Sequence, residues 1–305
     1  MITRKAFLPL AAGIAISVPA VAQDGGTTPV PLGLQKALPG TPPASLAVGT
    51  TDGDIAQGSV TLAAVVRNGD EPLAEGLTWH VFERKGTAAG ELVAVRQGGT
   101  HSLRLKMGEY VAHVAYGRAS AVVPFTIATD GAERDPVVLD AGAIRLSAEA
   151  GGRALAEDAD VRFSIYEVSG DERRLILPDV PPGETVRLAR GLYRVVAQYG
   201  SINAVAGADI RVRTGEVTEA TLGVPGAEVT LNLVQGEGRA PLASTAWRVF
   251  DSAGKPLFES DEPAPSLILA AGSYTTEALH DGRTVSHSFD VKPGQDETVA
   301  VPITE

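Results

Sequence analysis

The sequence predicts an all-β chain of three tandem small antiparallel β-sandwich domains, and three observations predict it. The tripeptides Gly108-Glu109-Tyr110, Gly191-Leu192-Tyr193 and Gly272-Ser273-Tyr274 recur at spacings of 83 and 81 residues, a period too long for a solenoid repeat and right for a small domain with its own core. Each tripeptide sits in the same longer frame. About 30 residues upstream lies an aromatic-x-aliphatic-aromatic run, Trp79-His80-Val81-Phe82, Phe163-Ser164-Ile165-Tyr166 and Trp247-Arg248-Val249-Phe250; fifteen to seventeen residues downstream lies Phe125-Thr126-Ile127, Ile210-Arg211-Val212 or Phe289-Asp290-Val291. Between these marks the chain alternates apolar and polar residues and breaks at Gly, Asn, Asp and Pro, giving about seven short strands per unit and no helix signal.

Taken in order, residues 1–22 read as a secretory signal peptide. Arg4 and Lys5 open it, an apolar stretch runs from Ala6 to Val18, and Ala20-Val21-Ala22 forms a small-x-small cleavage site. Residues 23–45 carry Pro29, Pro31, Pro39, Pro42 and Pro43 and read as a disordered leader, with Leu32 to Leu38 as its one apolar patch. The sandwiches are then expected at 46–141, 142–226 and 227–305. Each opens on an alternating strand: Ser59 to Ala63, Ile144 to Ala148, Val229 to Leu233. A turn and the aromatic strand follow, then a polar hairpin. Two strands folded about Gly-x-Tyr come next, with the Gly expected at positive φ, and short closing strands end each unit. The junctions, Leu139 to Ala143 and Leu222 to Ala227, are short, so a semi-rigid array is expected.

The phase of alternation assigns the core. Trp79 and Val81 share a face, as do Tyr110, Ala112, Val114 and Tyr116. Phe163 and Ile165 with Tyr193, Val195, Ala197 and Tyr199 correspond in the second unit; Trp247 and Val249 with Tyr274, Thr276, Ala278 and His280 correspond in the third. Phe82, Tyr166 and Phe250 have the opposite parity. A bulge, or a strand covered by a neighbouring loop, explains this most simply; the alternative is a repeated contact between units or with a partner, which makes these three the candidate partner residues.

The frame aliphatic-x-x-Gly-x-Tyr-x-aliphatic-x-Ala-x-x-Gly, seen for example from Leu188 to Gly200, resembles the carboxypeptidase regulatory-like (transthyretin-like, Ig-like) sandwich domains repeated in bacterial exported proteins. That resemblance implies accessory modules that space, dock or display, with no catalytic residues.

The rest of the sequence points the same way. The chain of 305 residues has net charge −11; without Arg4 and Lys5 the basic residues fall from 26 to 24 against 37 acids, near −13. Such a balance repels nucleic acid and anionic membranes. The absence of cysteine rules out disulfides and thiolate metal sites. No nucleophile elbow, metalloprotease helix or phosphate loop appears. His80 and His113 lie opposite the core face and read as half-exposed surface histidines, while His280 and His287 bracket a hairpin and could face each other across it. The acidic loops (Asp52-Gly53-Asp54; Asp130, Glu133 and Asp135; Glu157, Asp158 and Asp160) read as solvated turns. Of 14 aromatics after residue 22, all but Phe258 belong to the frame. The expected function is a non-enzymatic, periplasmic or secreted interaction or spacing module without a cofactor, metal or membrane insertion, meeting an envelope protein or cell-surface polymer; the alternative is a carbohydrate- or small-ligand-binding periplasmic protein.

Overall fold

In the computed structural model, residues 57–128, 134–235 and 242–303 are described. The signal peptide, the leader, Asp52-Gly53-Asp54, Asp130 and Glu133 lie outside them. Among the described residues every regular element is a strand.

The first unit contains β1 (Gln57–Leu62), β2 (Ala64–Val65), β3 (Leu77–Lys85), β4 (Ala88–Gly98), β5 (His101–Lys106), β6 (Gly108–Tyr116), β7 (Ala119–Ile127) and β8 (Val137–Val138). The second contains β9 (Ala141–Ala150), β10 (Arg153–Ala154), β11 (Val161–Ser169), β12 (Glu172–Val180), β13 (Thr185–Ala189), β14 (Gly191–Tyr199), β15 (Ala204–Val212) and β16 (Val217–Gly223). The third contains β17 (Gly226–Val234), β18 (Ala246–Asp251), β19 (Pro256–Ser260), β20 (Ser266–Ala270), β21 (Gly272–His280), β22 (Arg283–Val291) and β23 (Glu297–Pro302).

Each unit has a four-stranded antiparallel sheet, ordered β4-β3-β6-β7, β12-β11-β14-β15 or β19-β18-β21-β22, opposed by β1-β5 and β2-β8 in the first unit, β10-β9-β13 with β16 in the second and β20-β17-β23 in the third. In the opposing sheet the opening strand sits at the centre. β9 pairs antiparallel with β13 and parallel with β16, and β17 does the same with β20 and β23. In the first unit β1 and β2 divide these roles, pairing with β5 and β8. The parallel closing strand is invisible in the alternation pattern, because pairing direction does not alter which residues point inward.

Three cores result. Trp79, Val81, Tyr110, Ala112, Val114, Phe125 and Ile127 pack in the first, Phe163, Ile165, Tyr193, Val195, Ala197 and Val212 in the second, Trp247, Val249, Tyr274, Ala278 and Val291 in the third. These are the faces expected from the alternation, except that Tyr116 and His280 are only half-buried.

The expected positive φ is present at Gly108 and Gly272, at 155° and 157°, and absent at Gly191. What recurs is the tyrosine. Its hydroxyl donates to the carbonyl four residues back, Tyr110 to Lys106, Tyr193 to Ala189 and Tyr274 to Ala270, each at 2.8 Å. A Cβ on the glycine would come within 3.8, 3.4 and 3.7 Å of that ring. These are ordinary contact distances, so the ring itself does not demand glycine; what recurs is a tyrosine corner of the Ig type. Burial pushes the Tyr193 phenol up to about 12, so it remains a donor.

Candidate functional site at the unit junctions

Two residues join consecutive units: Leu139 and Asp140 between β8 and β9, Val224 and Pro225 between β16 and β17. The backbone closes both links alike. Arg190 N donates to Asp140 O at 2.8 Å, and Ala271 N to Pro225 O at 2.6 Å. Links this short force neighbouring units into contact.

The contact has the same two parts at both junctions: a hairpin tip from one unit and the strand before Gly-x-Tyr in the next. The β6–β7 tip begins at Gly117 and the β14–β15 tip at Gly200, with φ of 63° and 66°. A Cβ on Gly117 would lie 2.7 Å from Arg187 Cβ, and one on Gly200 would lie 2.6 Å from Ile268 Cβ. Arg187 and Ile268 both stand six residues before the corner tyrosine. Glycine is required here twice over, by the left-handed turn and by the close approach. The following alanines, Ala189 and Ala270, pack against the core of the preceding unit.

Around this shared contact the junctions differ. At the first, Arg118 N donates to Arg187 O at 3.0 Å, and the Arg187 guanidinium lies 4.7 Å from the centre of the Tyr116 ring. Asp140, at φ 51°, accepts from Thr214 and pairs with Arg190 at 2.9 Å. At the second, Asn203 Nδ2 donates to the Tyr274 hydroxyl at 2.9 Å, and Asn203 Oδ1 accepts from Ala270 N at 2.8 Å. Arg153 meets Asp296 at 2.6 Å, and the same carboxylate accepts from Glu228 N at 3.0 Å. The backbone bond from Glu228, then Arg153, holds the Asp296 carboxyl below its ordinary range despite some opposing burial. A groove of about 400 Å³ crosses this junction, lined by Tyr199, Ile268 and Phe258 with Asp160 and Glu228.

The outermost counterparts are built otherwise. The third tip starts with Asp281 at φ 47°, its side chain 86% exposed. In the first unit, Arg104 and Lys106 occupy the places of Arg187 and Ala189, and both are exposed.

The candidate partner residues are not gathered at the junctions. Each lies beside a register shift between the aromatic strand and its edge neighbour: at Val81/Phe82, Ile165/Tyr166 and Val249/Phe250. The extra residue sits on the edge strand. Val93, Ile176 and Leu257 are skipped in the pairing and turn toward their cores. The bulge is on the edge strand and not in the aromatic strand, whose register with β6, β14 or β21 is unbroken; it therefore does not re-aim these rings, and it makes the sheet edge irregular and a poor template for further pairing. Phe82 is 2% exposed and stacks on His80, with ring centres 6.5 Å apart; Tyr166 and Phe250 are half-buried.

The histidines depart most from expectation. His113 is 1% exposed, not half-exposed, and His80 is half-buried. His280 and His287 are not register partners: His280 pairs with Arg283 and His287 with Thr276. Sequence spacing pointed to the tips through the glycine seven residues after Tyr110 and Tyr193, but not to what they touch. Asn203 gave no signal, because its partners lie 67 and 71 residues away. Phe258, the aromatic left over from the frame, lines the junction groove.

Residues 228–303 match the profile of the Rhizobiales growth-associated tandem repeat domain. No curated protein matches the chain. Among solved structures, the Bacillus anthracis TIE protein is similar at 13% identity over 81% of this chain and 50% of that one, with a TM-score of 0.26; this chain thus spans about half of that protein's length. The major pilin subunit of Bacillus cereus is similar at 11% identity over 81% of this chain and 99% of that one, TM-score 0.22. The minor pilin of Streptococcus agalactiae is similar at 14% identity over 53% and 94%, TM-score 0.28.

Proposed function

We propose that the chain is an exported, non-enzymatic spacing and interaction module of the bacterial envelope, with sandwiches of carboxypeptidase regulatory-like type held in a semi-rigid array. The carrying observation is the junction. Two-residue links and a glycine tip seated on the next unit occur twice with the same backbone bonds, which favours a fixed spacing over a flexible string. The match to a bacterial tandem repeat domain supports the setting, and the signal-like start of the sequence supports export. The partner is an envelope protein or cell-surface polymer, with Phe82, Tyr166 and Phe250 at equivalent places in the three units as the candidate contact residues, of which Tyr166 and Phe250 are the accessible ones. Small-angle scattering on the chain without residues 1–22 tests the spacing role. A rod gives a radius of gyration well above the roughly 19 Å of one compact body of this length; a value near 19 Å rejects it. Pull-down from envelope extract, compared with the Tyr166→Ala/Phe250→Ala double variant, tests the contact residues.

A second reading, a ligand-binding protein, draws on the groove at the second junction, where two aromatic rings and two carboxylates meet. A glycan array separates the readings: selective binding lost in Phe258→Ala favours the ligand, and silence favours the spacer.

A further inference from the structure

The three copies stop matching on the outer face of the first four-stranded sheet. His80 and His113 are register partners across β3 and β6. The corresponding pairs are Ser164 with Val196 and Arg248 with Glu277, which suit an ordinary half-solvated sheet face. In the first unit both ring nitrogens of His113 and Nδ1 of His80 are buried without a hydrogen-bond partner. Leaving such atoms unpaired is costly, and an occupant that the protein atoms alone do not show is one of the few explanations.

We propose that His80 and His113 form a two-coordinate site for a soft, singly charged metal cation, cuprous copper being the biological candidate. The spacing fits. An imidazole nitrogen binds a metal at about 2 Å and the ring centre lies about 1 Å behind it, so two rings on opposite sides of one ion have centres about 6 Å apart; here they are 6.0 Å apart. The charge fits as well. No third His, Cys, Asp or Glu joins the pair among the described residues, and Phe82 stacks against His80. A zinc ion would lack two of its four usual ligands and any counter-charge, whereas a monovalent closed-shell ion is satisfied by two opposed neutral nitrogens. Burial lowers both imidazoles, His113 to about 4 with His80 adding to the effect, so both lone pairs are available at neutral pH without displacing a proton. The site is independent of the spacing role.

The test is anaerobic titration of the purified chain with Cu(I) against a chromophoric chelator, with Ag(I) as a redox-inert probe. The expected result is one ion per chain and a rise in the melting temperature of the first sandwich. His80→Ala and His113→Ala should each lose the ion, while His101→Ala, His280→Ala and His287→Ala retain it. His80 is the less buried of the pair, so His80→Ala decides the outcome if His113→Ala does not fold. Absence of binding, or retention by His80→Ala, overturns the site. One Zn(II) per chain bound with the same histidine dependence overturns its assignment to a monovalent ion.

Discussion

The two junctions use one contact and surround it with different chemistry. At the first, Gly117 meets Arg187, whose guanidinium spreads over Tyr116. At the second, Gly200 meets Ile268, and Asn203 ties the tip to Tyr274, the tyrosine corner of the next unit. The first therefore rests on partly solvated cation–π and ion-pair contacts; the second carries one exposed ion pair, Arg153–Asp296, and adds apolar packing and a two-pronged amide. Exposed charge contacts are weak and screened by salt, whereas buried packing is not. The second junction is therefore expected to be the less salt-sensitive of the two.

The largest effect should come from the unit that both junctions share. Tyr193→Ala removes a buried ring and its bond to Ala189 and should destabilise the second sandwich by about 3–5 kcal/mol; domain-resolved unfolding that loses less than about 1 kcal/mol would contradict its place in the core. Acid should act on one side of the first junction only. His113 has its pKa lowered from 6.5 to about 4 in the folded unit, so between these values the unfolded chain binds the extra proton. Stability of the first sandwich is then full above pH 6.5 and falls as pH drops toward 4, with His113 contributing at most about 1.4 kcal/mol per pH unit and the lowered His80 acting in the same direction. Melting of the three units followed across that window should move the first alone.

Gly200→Asp keeps a residue that tolerates the left-handed turn but drives a Cβ into Ile268. The second junction should lose about 1–3 kcal/mol, read as a wider distance distribution in scattering. Asn203→Ala removes the amide and leaves Ala270 N without its partner. It should weaken the same junction by about 1–2 kcal/mol, visible as faster exchange of the Ala270 amide. Arg187→Ala should cost the first junction only about 0.5–1 kcal/mol, and less in high salt; an effect as large as that of Asn203→Ala would erase the contrast between the junctions.

How much of this was legible follows from the range of each interaction. The corner tyrosines, the inward faces and the outward parity of Phe82, Tyr166 and Phe250 show in the sequence because periodicity records which side of a strand a residue occupies. The parallel pairing of β16 and β23 does not, since a strand's alternation is the same whichever way its neighbour runs. The junctions were half visible. Gly117 and Gly200 stood out by position, yet their clash partners belong to the next unit. Burial of His113 was unreadable for a similar reason: parity placed it opposite the core, and parity says nothing about what covers that face.

Asp281 sets the third hairpin tip apart from the other two. At the place where Gly117 and Gly200 admit a neighbour to within 2.7 Å of a would-be Cβ, Asp281 has a real one, topped by a carboxylate. A further sandwich fused after the third, or the first sandwich of another molecule, could not seat there as the internal units do, and at the opposite end Lys106 replaces the alanine that such seating uses. In the spacer proposed above, a rung after the third would need glycine where Asp281 stands.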